Sequence, residues 1–427
     1  MPKVLFVSGS VGLGHVQRDV RIARELIEIL PETEIVWLAA DPATLVLEEE
    51  GMDILPESRE RDVGTSVIEE VAAGQRVNMT EILYRVRKED RYARAIEVFN
   101  DLVQRERPDL VVADEAYELE GAHSRGLGKN WPPFVFLWDF VKVYPGSWRW
   151  RDLRTARLVN KGWDRTFRKG REEGWTDIFL GDVEDVPDER LGWGLMNARE
   201  GATGRYDFVG NPIHFDPFEY LDKGKVRARL GYGPEPLLIC SAGGTAIGRE
   251  LLQLCIRSFP MMAGRLPDLR MILVKGPRMK ADLGPLPEGV QVREYVPRLF
   301  EHFAASDMAI VLGGGGSTLE LSVLNKPFLY FPLKGHSEQE KNVARKLERN
   351  HLGIRCSLEG TKREGLARLV VDHIGKGTEY PPISHEGCRR AARIMAGLLV
   401  RQGQMTRDRP SNMVIVTAKT AARDTQM

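Results

Sequence analysis

An excess of charge of one sign is missing from this chain. Its 427 residues carry 61 basic and 61 acidic side chains, so no global field draws it to nucleic acid or to a membrane. Cysteine is scarce. Cys240, Cys255, Cys356 and Cys388 are scattered without a Cys-x-x-Cys pair, which points to a reducing compartment. No apolar run approaches the roughly 18 residues that would cross a bilayer. The N-terminus enters a strand at once, without the profile of a signal peptide. A cytoplasmic protein is expected. No two aspartates are separated by one residue, and no His/Cys cluster has zinc spacing, so neither a metal nor any other cofactor is expected.

What the chain has is a hydrophobic share of 42%, enough for large cores, and a length that suits two domains. Apolar runs alternate with helical patterns twice over. In the first half strands are expected at Val4–Val7, Ile35–Ala39, Leu110–Ala113, Phe134–Leu137 and Asp177–Leu180. Between the first two runs Val20, Ala23, Leu26, Ile27 and Leu30 recur on one helical face, and Met79–Arg105 reads as a long helix. The pattern restarts with strands at Pro236–Ser241, Arg270–Val274, Met308–Leu312 and Phe328–Phe331. Such alternation predicts α/β architecture: two doubly wound Rossmann-like domains facing across a cleft. The proline-containing stretch Gly210–Tyr220 sets the boundary. The expected division is 1–214, 215–401 with the final helix, and a disordered tail over 402–427.

Glycine-rich loops follow several of these strands. GSVGLGH, Gly9–His15, has nearly P-loop spacing, but a P-loop would place lysine after Gly14, where His15 stands. SAGGT, with Gly243, Gly244 and Thr245, precedes a helix whose free amides would attract an anion. LGGGGSTLEL, Leu312–Leu321, lets the backbone approach a ligand closely. Ser317 and Thr318 add hydroxyls there, and Glu320, in the first helical turn, can accept from sugar hydroxyls. FPLKGHSEQEKN brings His336, Glu338 and Gln339 to one loop tip, chemistry that suits a polyhydroxyl ligand. The alternative for Glu338 is a helix-start carboxylate that interacts with the dipole.

Taken in order, these motifs resemble the GT-B glycosyltransferases that use nucleotide sugars. The similarity is greatest to the branch holding the bacterial peptidoglycan N-acetylglucosaminyl transferase, over about Lys3–His351. GGGGSTLELSVLNKPFLYFP is similar to that branch's donor signature. The resemblance implies a UDP-sugar co-substrate held by the C-terminal half, with Gly315, Gly316 and Ser317 at the diphosphate and Glu320 at the ribose. It also implies Glu338 and Gln339 at the donor sugar, followed by Asn342, and Val296 of REYVPRL at the uracil edge. In VGNPIH, His214 stands near a position where the family often has arginine.

On that reading Gly12, Gly14 and His15 face the reacting centre from the acceptor side. Transfer to a hydroxyl needs a base, and histidine suits it. Asp114, at a neighbouring strand end, is the candidate to orient it, with Glu115 as the fallback. His15 can also be read as a helix cap or as a hydrogen-bond donor to a phosphate of the sugar nucleotide. Ten basic and two acidic residues lie between Lys142 and Arg171, and Ala156, Val159, Trp163 and Phe167 share one helical face. This segment reads as a core-facing stripe with a solvated basic face, as a contact with the inner face of a membrane, or as a site for an anionic or lipid-linked acceptor. The expected activity is metal-independent, inverting sugar transfer. A nucleotide-sugar hydrolase or epimerase of the same fold is the alternative, and a non-enzymatic sugar-nucleotide binding subunit the third reading.

Overall fold

The computed structural model describes residues 1–9, 12–61, 91–128, 130–244, 247–336 and 338–407. The chain forms two six-stranded parallel sheets. The first contains β1 (Lys3–Ser8), β2 (Glu34–Ala39), β3 (Leu110–Asp114), β4 (Phe134–Trp138), β5 (Trp175–Phe179) and β6 (Asp207–Phe208), in the order β2-β1-β3-β4-β5-β6. The second contains β7 (Leu237–Ser241), β8 (Arg270–Val274), β9 (Val290–Arg293), β10 (Met308–Leu312), β11 (Phe328–Phe331) and β12 (Ile354–Arg355), in the order β12-β11-β10-β7-β8-β9. The α/β double winding expected from the sequence is therefore present in both halves.

The central strands β1, β3, β4, β7 and β10 are largely apolar because both faces of each sheet are covered. In β1, Val4 and Phe6 enter one core layer while Leu5 and Val7 enter the layer on the other face. In β7, Leu238 and Cys240 face one layer, Leu237 and Ile239 the other. Covering helices include α1 (Leu13–Ile29), α2 (Ala43–Glu49), α3 (Arg91–Glu106), α4 (Tyr117–Ser124) and α5 (Trp150–Lys169) on the first half. Val20, Ala23 and Leu26 of α1 are buried as expected, but Ile27 is exposed. The expected start of the long helix, 79–90, lies outside the described residues, as does the tail beyond residue 407.

The second half carries α6 (Ala198–Thr203) at its approach, then α7 (Lys223–Leu230), α8 (Arg249–Ala263), α9 (Leu299–Ala305), α10 (Gly315–Val323), α11 (Ala344–Arg349) and α12 (Arg363–His373). The last helix, α13 (Gly387–Arg407), departs from the expectation that grouped it with the second domain. It packs on α1, and Cys388, Ala391, Ala392, Met395, Ala396 and Leu399 complete the first domain's core. Its small, apolar stripe fits the surface that α1 presents.

Candidate active site

In each sheet the strand order reverses direction beside the first strand, between β1 and β3 and between β7 and β10. Parallel sheets open a crevice at such points. Here the two crevices face each other and line one cleft of about 420 Å³. From the first domain come Gly12, Gly14, His15, Arg18, Glu115 and Asp139. From the second come Gly243, Gly244, Val296, the Gly314–Glu320 stretch, His336, Glu338, Gln339 and Asn342. Thr245 lies outside the described residues.

The glycines set how closely the loops meet. A Cβ on Gly14 would sit 3.6 Å from Gly316 Cα, and one on Gly244 would sit 3.0 Å from Leu13 Cγ. Helix α1 thus starts directly against the start of α10, where Gly314 is the extended cap residue. A Cβ on Gly9 would collide with Glu115 Oε2. Glu115 itself has φ 54, a left-handed conformation uncommon for a residue with a side chain.

His15, in the first turn of α1, meets Asp114, at the end of β3, across 99 residues of sequence. Its Nδ1 lies 3.2 Å from Asp114 Oδ2. Asp114 does not serve His15 alone. Arg18, one turn along α1, grips it with both ends of its guanidinium, Nε to Oδ2 at 2.9 Å and Nη2 to Oδ1 at 2.8 Å. Arg18 Nη2 also lies 2.7 Å from His15 Nδ1. Glu115, read from the sequence as a substitute for Asp114, instead faces the other ring nitrogen, with Oε1 3.3 Å from Nε2. Asp139, directly after β4, lies 3.6 Å from the same nitrogen. Arg18 and Asp139 were not among the expected site residues. The signals for them were the three-residue spacing from His15 and a second aspartate at a strand end.

Two cations and three carboxylates thus share one partly buried pocket. Burial and the Arg18 guanidinium oppose charge on His15, but Glu115 and Asp114 outweigh them and raise it to about 10. Burial, followed by the neighbouring carboxylates, raises Glu115 to about 7, and its Oε2 has no hydrogen-bond partner. Arg18 and His15 hold Asp114 well below the usual carboxylate range against the effect of burial. Burial and then Asp114 push Asp19 well above it, and Ser8 Oγ donates to Asp19 Oδ2 at 2.6 Å.

Across the cleft, Glu320 is 5% exposed. Burial alone raises it to about 8, and the nearest cationic candidate, His214 Nε2, stands 3.9 Å away. His214 is itself held neutral, at about 3, by burial and then by Arg298. Glu338 and Gln339 open a π-helical turn, Glu338–Val343. Burial and then Asp139 raise Glu338 to about 8. Gln339 Oε1 accepts from Leu333 N at 3.1 Å, and burial keeps His336 neutral, at about 4. Thr318 also lines the cleft, and its hydroxyl donates to the carbonyl of the cap residue Gly314 at 2.9 Å. Among the described residues no three His, Cys, Asp or Glu side chains converge as metal ligands.

No protein-family model matches the chain. A UDP-N-acetylglucosamine–N-acetylmuramyl-(pentapeptide) pyrophosphoryl-undecaprenol N-acetylglucosamine transferase of Carboxydothermus hydrogenoformans is 26% identical over 160 residues, 36% of this chain and 43% of that protein. An uncharacterized glycosyltransferase of Methanosarcina acetivorans is 34% identical over 79 residues, 18% of this chain and 21% of that protein. The chain spans less than half the length of these curated relatives. Among solved structures, the glycotransferase of kitacinnamycin superposes with a TM-score of 0.55 at 18% identity, over 95% of this chain and 99% of that one. The glycosyltransferase SnogD of Streptomyces nogalater gives 0.52 at 19% identity, with the same coverage. The chain therefore has the two-domain GT-B fold of the glycosyltransferases and is, over part of its length, a distant relative of the peptidoglycan N-acetylglucosaminyl transferases.

Proposed function

We propose that the protein transfers a sugar from a UDP-sugar to a hydroxyl acceptor, with inversion and without a metal ion. The observation that carries this reading is the joint cleft, in which a glycine-rich helix start of one domain faces a charged histidine–carboxylate cluster of the other. Amides of Gly315, Gly316 and Ser317 at the positive end of α10 receive the diphosphate, aided by Gly243 and Gly244. Glu320 accepts from the ribose hydroxyls, Val296 lines the base pocket, and His336, Glu338 and Gln339 surround the donor sugar. A solved neighbour at TM-score 0.50, a spinosyn rhamnosyltransferase, was crystallised with thymidine diphosphate. This supports a nucleotide diphosphate donor in general. Uridine in particular rests on the likeness of the C-terminal motifs.

In the transfer step the acceptor hydroxyl attacks the anomeric carbon from the face opposite the diphosphate. A new C–O bond forms as the bond to the phosphate oxygen breaks, and the electron pair leaves with UDP. The hydroxyl proton goes to Nε2 of His15 in its neutral form, with Asp114 orienting the ring at Nδ1. Gly12 and Gly14 leave room for both substrates at this point. A second reading makes Glu115 the base and His15 a fixed imidazolium. The 3.3 Å contact between them and the unpartnered Glu115 Oε2 favour it. A pH–rate profile separates the two. With His15 as base, kcat/KM keeps rising towards the His15 value of about 10. With Glu115 as base it levels off above about 7.

Calorimetry tests the donor site. UDP should bind equally well with and without a chelator, and loss of binding in chelator overturns the amide-based account. Glu320→Ala should weaken UDP by roughly 10- to 150-fold, since a hydrogen bond to a charged group contributes about 1.5–3 kcal/mol. Ribose donors also favour the ionised carboxylate, so the wild type should release a proton on binding that the variant does not. Equal affinity and equal proton release in both proteins would remove Glu320 from the ribose site. Incubation with nucleotide sugars and cell-extract acceptors then distinguishes transfer from hydrolysis: free sugar without a glycosylated product would make the protein a hydrolase.

A further inference from the structure

His214 is a polar residue set between two apolar ones. Ile213 and Phe215 are buried in the second domain's core, which leaves the imidazole between them to line the cleft. Its ring stands edge-on to Phe215 and Phe300, at centroid distances of 5.2 and 5.0 Å. These contacts hold the ring in place. Its Nε2 is buried, has no hydrogen-bond partner among the described residues, and lies 3.9 Å from Glu320 Oε1. A buried ring nitrogen left in that state is costly. The gap is too long for a hydrogen bond, yet a shift of about 1 Å in the glutamate side chain closes it.

The charges around the pair are few. Burial alone holds the Glu320 carboxyl up, at about 8. His214 is kept neutral, at about 3, by burial, then by Arg298 and Arg21. Both cations are engaged elsewhere, Arg298 with Glu301 and Tyr220, and Arg21 with Glu25.

We propose that the Nε2–H of His214 closes on the Glu320 carboxylate when a nucleotide occupies the cleft, and holds that carboxylate for the ribose hydroxyls. This rests on the ribose role proposed above for Glu320, and it makes His214 a positioning residue of the same site. In the empty cleft both groups are mainly uncharged at pH 7. Hydroxyls that donate to the carboxyl favour its ionised form. A carboxylate buried there needs further donors. A neutral imidazole supplies one N–H, and the tautomer with hydrogen on Nε2 presents it to Oε1. The carboxyl proton leaves for solvent, because Arg298 and Arg21 oppose a charge on His214. A permanent cation at this position would pair with Glu320 before the nucleotide arrived and compete with the hydroxyls. Histidine leaves the carboxyl free in the empty protein and supports it in the loaded one.

Calorimetry of UDP binding to the full chain at pH 7, in buffers of different ionisation heat, tests this. The wild type should release about one proton per UDP. His214→Leu should bind UDP roughly 10-fold more weakly and release a smaller fraction of a proton, because the bound carboxyl then ionises less readily. His214→Gln, whose amide brings an N–H to the same point, should recover both. In a Glu320→Ala background His214→Leu should change UDP affinity by less than about twofold, since the two residues act through one bond. Equal weakening in both backgrounds, or no recovery with glutamine, makes His214 a packing residue of the linker and overturns the proposal. Unchanged affinity and proton release in His214→Leu also overturn it, while leaving Glu320 at the ribose. If Glu320→Ala binds UDP as the wild type does, the ribose assignment itself fails and the pairing falls with it.

Discussion

Replacing His15 by alanine should lower the rate constant of sugar transfer by roughly 10²- to 10⁴-fold, the usual contribution of a general base. UDP affinity should change little, because the amides and Glu320 proposed above to hold the nucleotide belong to the other domain. The Asp114→Asn variant should lower the same rate constant by a smaller factor, since it removes the group that orients the ring. It also loosens Arg18, which grips both oxygens of Asp114, so the rate must be normalised to folded protein. The double variant should be no slower than His15→Ala alone, because the two residues act as one unit. Single-turnover kinetics with saturating donor reads these effects directly. If His15→Ala weakens the UDP-sugar as much as it slows transfer, His15 is a phosphate ligand. The loop would then act as a P-loop with an imidazolium in place of lysine.

The largest stability effect should come from Arg18→Met. Arg18 is 9% exposed and its guanidinium neutralises a buried Asp114. Removing one partner of a buried pair leaves a charge without compensation and costs about 3–5 kcal/mol. The sign of the pH dependence follows from Asp114. Its folded-state value lies below the unfolded one. The stabilisation is therefore fully present above about 3.9, the unfolded carboxylate value, and is lost as pH falls through the folded value. The gap between wild type and variant in denaturant unfolding should be wide at neutral pH and shrink progressively as pH falls from ~4 towards the folded-state value of Asp114. A gap under about 1 kcal/mol at neutral pH would mean that His15 alone neutralises Asp114.

The long strands were legible because burial on both faces leaves no polar residue in runs such as LFV or AIVL. The strands β6, β9 and β12 span only two to four residues at or near sheet edges, too short to show a period. His15 and Asp114 could be brought together on paper because neighbouring parallel strands end at one edge. The competition of Arg18 for Asp114 could not, since it depends on which way a long side chain turns once packed. Nor could the sequence show that Glu115, the fallback for Asp114, faces the other ring nitrogen, 3.3 Å from Nε2. The hydrogen bond from the Thr318 hydroxyl to Gly314 O is a local one that a motif match does not reveal. The small-residue stripe of α13 was visible as a helix face, but nothing in it says which sheet it covers.

The placement of α13 has a consequence for how the protein is made. The first domain is translated first, yet a wall of its core, from Cys388 to Leu399, is supplied by the last described helix. At synthesis rates of 5–20 residues per second, roughly 10 to 40 s separate the last residue of β6 from the end of α13. Through that interval the apolar surface of α1 next to His15 lacks its cover. The second domain, complete in sequence before α13 emerges, can fold while the first waits. Helix α13 thus closes a core that β1 and α1 opened, and the loop carrying His15 gains that support only after the whole second sheet has been made.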